Sequence, residues 1–179
     1  MIVHCIEPWA STEAKIGAQA VFSAFWQAGA YSSNSVRNEM VEVIKVKSGS
    51  LYETKESYSR IVAVDNWIYV SNTAGRNYKT REMSTDPVEQ ATQCFNNIER
   101  ALASVGASLK DVINSTIYIP NVADAPTVMA YVGARFKGID PARTVLCAPL
   151  GNDEFKVEIE VQAYKGAGAV EAKYIDISQ

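Results

Sequence analysis

The chain has 179 residues, 47% of them hydrophobic and 21% charged, values that fit a globular domain and exclude a disordered or fibrous one. Lys and Arg total 17 against 20 for Asp and Glu, so the formal charge is -3 and the basic excess of a general nucleic-acid binder is missing. No apolar run reaches the ~18 residues that a membrane-spanning helix needs. The three cysteines, Cys5, Cys94 and Cys147, form no C-x-x-C pair, and with the single His4 they make no convincing zinc site. An odd number of thiols in a chain with room for a core points to a reducing compartment. The start, Met1-Ile-Val-His-Cys-Ile-Glu7, lacks the basic-then-apolar order of a signal peptide. The expectation is a cytoplasmic chain with no metal, no nucleic acid and no membrane among its partners.

From Ser11 to Gly29 the spacing predicts a helix, with Ile16, Ala20, Ala24 and Ala28 on one stripe, widened by Phe22, Phe25 and Trp26. Those rings predict a helix docked on the core or on a neighbouring subunit. The period then shortens over 41–47, a strand closed by Ser48-Gly49-Ser50. Two more strands, Tyr58 to Val64 and Trp67 to Ser71, meet at Asp65-Asn66, the signal of a hairpin. Residues 72–85 read as a loop. Asp86, Pro87 and Glu89 then supply the cap, first turn and capping-box partner of a helix. Ala91, Cys94, Phe95, Ile98, Leu102 and Val105 form its apolar stripe, and Gly106 stops it. Cys94 in that stripe is expected to be a buried, inert thiol.

Residues 111–119 alternate as a strand that puts Val112, Thr116 and Tyr118 on one side and Ile113, Ser115, Ile117 and Ile119 on the other. A helix follows over 124–137, then strands over 143–148 and 155–164 and a mobile tail. This order predicts an α+β fold, a mixed or mostly antiparallel sheet with two helices packed on one face, behind an N-terminal helical extension. Val43 or Ile44, Ile68, Ile117 and Val157 are assigned to the other face, whose cover is expected to be self-association.

Phosphate-loop, dinucleotide, nucleophile-elbow and zinc-protease motifs are all missing, and nothing places His4 near a nucleophile. The chemistry concentrates at the end, in Asp140-Pro-Ala-Arg-Thr-Val-Leu-Cys147 and Phe155-Lys-Val-Glu-Ile-Glu-Val161. Strand alternation puts Arg143, Val145 and Cys147 on one face, and Glu158 with Glu160 on one face of the next strand. On paired strands an Arg and a Glu can converge on one cavity. The plainer reading is a surface salt bridge worth at most about 1 kcal/mol.

Asp140-Pro-Ala-Arg-Thr-Val followed by Val157-Glu-Ile-Glu-Val-Gln-Ala163 resembles the C-terminal signature of the Rid family, the YjgF-like reactive-intermediate deaminases. The segments 85–99 and Gly106-Ala-Ser-Leu-Lys-Asp-Val112 look like the middle of the same family. The resemblance spans 58–163 and implies a chorismate-mutase-like fold, a homotrimer, and active sites in the clefts between subunits. It divides the chain into an extension over 1–50, a Rid-like domain over 51–165 and a tail over 166–179. It matches Arg143 and Glu158 to the family's catalytic arginine and glutamate, and Tyr58 and Ser71 to substrate-binding positions. Two departures bear on the pocket: Asn72 stands where the family has glycine. Val145 stands where a cysteine is frequent, with Cys147 two residues along.

The implied activity is hydrolysis of small enamine or imine carboxylates to 2-oxo acids and ammonia, with no cofactor. Arg143 supplies a bidentate carboxylate clamp and Glu158 a proton carrier. The residues beyond the compact family core imply a specialised member, acting on an amino-muconate-like or other pathway intermediate. The alternative is a non-catalytic binder of small carboxylates or a regulatory member.

Overall fold

Apolar alternation builds the sheet, and one bulge decides where the cleft opens. The computed structural model describes residues 40–178; the helix expected at 11–29 lies outside them, as do His4 and Cys5. Strands β1 (Val43–Val46), β2 (Ile61–Val64), β3 (Trp67–Ala74), β4 (Val112–Tyr118), β5 (Ala142–Leu146) and β6 (Glu158–Tyr164) form one sheet in the order β1-β2-β3-β6-β4-β5. All neighbours are antiparallel except β4 and β5. That parallel pair needs a crossover, and helix α3 (Ala125–Arg135) supplies it. Asp65 adopts φ 51 in the β2–β3 turn, a left-handed conformation that Asp tolerates. The strand read as part of the extension is β1, an edge of this same sheet paired with β2.

Helix α2 (Pro87–Ser104) starts as the sequence predicts, with Asp86 accepting from the Val88 and Glu89 amides at 2.8 Å each. The capping box is not closed. The Asp86 amide donates to Ser84 Oγ at 3.0 Å instead, and the Ser84 hydroxyl donates to Glu89. Ala91, Cys94, Phe95, Ile98 and Leu102 are all 0% exposed. Phe95 meets Phe136, just past α3, edge-on at 5.2 Å between ring centroids. Each large member of this stripe stabilises the fold by about 1.5–3 kcal/mol on burial. Cys94 is inert as expected: its Sγ donates to Thr73 O at 3.0 Å and burial drives its pKa far up.

The face assignment is corrected. Ile68, Ile117 and Val157 are 1%, 0% and 0% exposed beneath the helices, not on the opposite face. The open face instead presents Trp67 and Tyr69, each 46% exposed, with Tyr164 edge-on to Trp67. In β4 the expected alternation fails at its start, because a register shift between Val112 and Asn114 buries Val112 and exposes Ile113. The tail is tethered where it begins: the Gly166 and Gly168 amides donate to Asp111 Oδ1 at 3.0 and 3.1 Å.

Candidate active site

A second irregularity, between Val70 and Thr73 of β3, creates the site. There Ser71 and Asn72 oppose the single residue Glu160 of β6, and pairing resumes with Thr73 on Ile159 and Ala74 on Glu158. The strand therefore runs past Ser71, where the sequence ends it, to Ala74. The extra residue turns Asn72 toward Glu158, and Asn72 Nδ2 donates to Glu158 Oε2 at 2.7 Å. Just beyond, Gly75 is required by close approach, since a Cβ there would lie 2.5 Å from the Gln90 carbonyl oxygen.

The opposite wall comes from a short helix that alternation does not reveal, α1 (Leu51–Lys55). Its Glu53 is buried, 1% exposed, and accepts from the Ser48 amide and hydroxyl at 2.8 and 2.6 Å. The same carboxylate lies 3.5 Å from Arg60 Nε, and the Arg60 side chain is also buried. Arg60 Nη1 donates to Ser71 O, Asn72 O and Thr73 Oγ1 at 3.2, 3.0 and 3.0 Å, stapling the bulge. Its guanidinium carbon sits 5.9 Å from the Tyr58 ring centroid and 5.7 Å from that of Tyr78. Gln90 holds the far rim through Ser84 O, Glu154 O and the Lys156 amide, at 2.7, 2.8 and 2.8 Å.

These walls enclose a cleft of about 600 Å³. Of the residues singled out in the sequence, Tyr58, Asn72 and Glu158 line it. Ser71 does not; its hydroxyl donates to Ser59 O at 2.7 Å. Arg143, Val145 and Cys147 lie elsewhere. The convergence of Arg143 and Glu158 expected from paired strands is not made within one chain, because β4 stands between β5 and β6. Ser115 is level with Arg143 on one side and Val161 on the other, while Tyr118 is level with Leu146 and Glu158. Nor does the alternative surface salt bridge form: among the described residues Arg143 has no ion pair. Arg143 is exposed on the edge strand, 5.5 Å above the Phe136 ring.

Burial pushes the Glu158 carboxyl above the ordinary glutamate range, with Arg60 pulling the other way. Tyr78 is raised for the same first reason, burial. The result is a carboxyl that carries a proton to higher pH than usual, set beside rings and guanidinium groups: Arg60, Arg76 and Arg81 all line the cleft. Such a site can bind an acid and move a proton. Among the described residues no cluster of three or more His, Cys, Asp or Glu side chains is placed to hold a metal ion.

The sequence reading missed Arg60, Glu53 and Tyr78. An arginine directly before the core residue Ile61 was the available signal for the first. Glu53 carried none, for a lone Glu in Leu51-Tyr-Glu-Thr-Lys55 reads as solvated surface.

A mixed sheet with helices on one face and a cleft that sets a half-buried carboxyl among arginines defines the class. Residues 49–165, most of the chain, match the family described as endoribonuclease L-PSP, and the chain belongs to this family of YjgF-like, or Rid, proteins. It is 34% identical over 104 residues to a 2-iminobutanoate/2-iminopropanoate deaminase of Dermatophagoides farinae, covering 58% of this chain and 81% of that relative. Among solved structures it is similar to a Mycobacterium tuberculosis member of the YjgF/YER057c/UK114 family, at 29% identity and TM-score 0.63. That match covers 69% of this chain and 99% of the other. The YjgF gene product of E. coli is similar at 28% identity and TM-score 0.56, with 60% and 87% covered. The α+β, chorismate-mutase-like architecture is thereby shown.

Proposed function

We propose that this protein hydrolyses small enamine or imine carboxylates to 2-oxo acids and ammonia, as a homotrimer whose sites are shared between subunits. The observation that carries the reading is the half-buried Glu158, its pKa raised by burial, in a cleft lined by Tyr58, Asn72 and Arg60. Relatives about 30% identical named 2-iminobutanoate/2-iminopropanoate deaminase support the same chemistry. Arg143 supports the sharing, since it is exposed at the sheet edge without an ion pair among the described residues.

Arg143 of one subunit clamps the substrate carboxylate in the cleft of its neighbour with a two-point fork. Water adds to the imine carbon as Glu158 takes its proton and passes it to the nitrogen. Glu158 then takes the hydroxyl proton of the carbinolamine and delivers it to the nitrogen. The carbon–nitrogen bond breaks with its electron pair on nitrogen, and ammonia leaves. Tyr58 orients substrate from the cleft wall. Ser71 acts from behind it, and Val145 and Cys147 shape the rim that the neighbouring subunit brings. The cleft volume of about 600 Å³ is in the range that holds drug-sized ligands (~300–1,000 Å³). That size supports a substrate longer than a three-carbon acid, of the amino-muconate-like kind, with Arg81 to meet a second carboxylate.

Ammonia release from freshly generated imines tests this reading. Turnover by the wild-type chain and its loss in Arg143→Ala are expected. Equal turnover in both would overturn the assigned mechanism, and binding of 2-oxo acids without turnover would identify a non-catalytic carboxylate binder.

A further inference from the structure

Two buried side-chain atoms in the described part of the protein have no hydrogen-bond partner, Arg60 Nε and Asn72 Oδ1. Both belong to residues that line the cleft. Leaving such an atom unsatisfied costs about 1–3 kcal/mol, so each calls for an explanation. Arg60 Nε has one, because the Glu53 carboxylate lies 3.5 Å away. Asn72 Oδ1 has none. Nor does turning the amide over help while Glu158 is ionised, since a carboxylate accepts and must face the NH2 end.

We infer that Asn72 is the positioning residue of this cleft: its amide NH2 holds the Glu158 carboxylate at 2.7 Å where it can carry a proton, and its bare oxygen is what that orientation costs. The inference rests on the deaminase reading and adds the group that orients its proton carrier. A proton carrier held in one geometry acts on the reacting atoms, which accelerates turnover rather than tightening substrate binding. The bulge holds the amide in place, since Arg60 Nη1 fixes the Asn72 carbonyl at 3.0 Å. A glycine at position 72 could not do this.

The charge environment of Glu158 defines the test. The Arg60 charge acts on it across the cleft, Tyr118 stands level with it on β4, and the buried Cys94 of α2 feels its charge through the sheet, while Glu160 lies two residues along its own strand. None of these changes when Asn72 is replaced. Carbon-detected NMR titration of the Glu158 carboxyl in the ligand-free, assembled protein reads the first half of the inference without any activity. Removing a hydrogen bond to the ionised form raises a pKa, so Asn72→Ala is expected to move the Glu158 titration up by about one unit. Asn72→Asp, which sets a second carboxylate against the first, is expected to move it further. An unmoved titration in both variants would overturn the positioning role.

Steady-state ammonia release reads the second half. Asn72→Ala is expected to lower kcat about tenfold with KM changed less than twofold, and to shift the acidic limb of the kcat profile upward. A variant with wild-type kcat, or with its whole loss in KM, would overturn the part of Asn72 in proton transfer. If the wild-type chain released no ammonia while the titration moved as expected, the deaminase reading would fail, and the Asn72–Glu158 link would stand.

Discussion

Glu158 and Arg143 come from neighbouring stretches of sequence yet end on opposite faces of one sheet. Glu158 alternates with the buried Ile159 and Val161, so it points away from the helices into the cleft. Arg143 is level with the buried Ser115 on the helix side, and its guanidinium rests over Phe136. One group is half-buried, hydrogen-bonded and perturbed in pKa; the other is exposed with no ion pair among the described residues. The contrast teaches that the two groups form no common site within one chain; under the proposed sharing, each chain carries two half-sites. On that proposal, Glu158 and Arg143 meet only where the edge strand of one copy faces the cleft of another.

The comparison breaks most sharply at its two ends. Glu158→Gln is expected to lower kcat by about 100- to 10,000-fold, the usual worth of a positioned proton carrier, while leaving 2-oxo acid binding within a few-fold. Isothermal titration beside ammonia release separates the two. Arg143→Ala is expected to cost at least ~100-fold in kcat/KM by releasing the substrate from its attack geometry. Arg143→Lys recovers little of that, because an ammonium cannot form the two-point contact. Unchanged fold and assembly in both variants are checked by circular dichroism and light scattering.

A third variant sharpens the half that lies within one chain. Glu53→Ala leaves the Arg60 charge buried without its partner, and breaking such a pair costs about 3–5 kcal/mol. Urea unfolding is expected to show that loss, whereas an effect under 1 kcal/mol would make α1 a dispensable wall. The smallest effect concerns pH. The folded-state pKa of Glu158 is raised, so the folded protein holds its proton to higher pH than the unfolded chain does. Its contribution to stability is full below the ordinary glutamate range and is lost as pH rises through the raised folded pKa. Glu158→Gln is expected to remove that decline from the stability–pH curve, and a curve identical to wild type would place the carboxyl in water.

Much of the frame was legible because periodicity and capping act locally. Asp86-Pro87 started α2 where it stands, the hairpin at Asp65-Asn66 closed, and the α2 stripe became the core. What escaped notice depended on pairing partners that no local pattern encodes. Ile68 and Ile117 read equally well on either face, and only the helices' position buried them. Strand order put β4 between β5 and β6, so residues close in sequence parted. The bulge at Ser71-Asn72 broke the alternation where the site lies, and the buried Glu53–Arg60 pair joined two charges that each read as surface. Of the cleft, the family resemblance names Tyr58, Asn72 and Glu158; Arg60 is marked only by its place before Ile61, and Tyr78 only by three-dimensional packing.

The division into half-sites is tested most directly by mixing. Arg143→Ala and Glu158→Gln chains are each expected to be inactive as pure assemblies. Dissociated and reassembled together, they form oligomers in which a Glu158 cleft of one chain faces an intact Arg143 of the other. Recovered ammonia release in the mixture, absent from either parent, is the predicted result; a mixture as inactive as its parents would contradict the shared site.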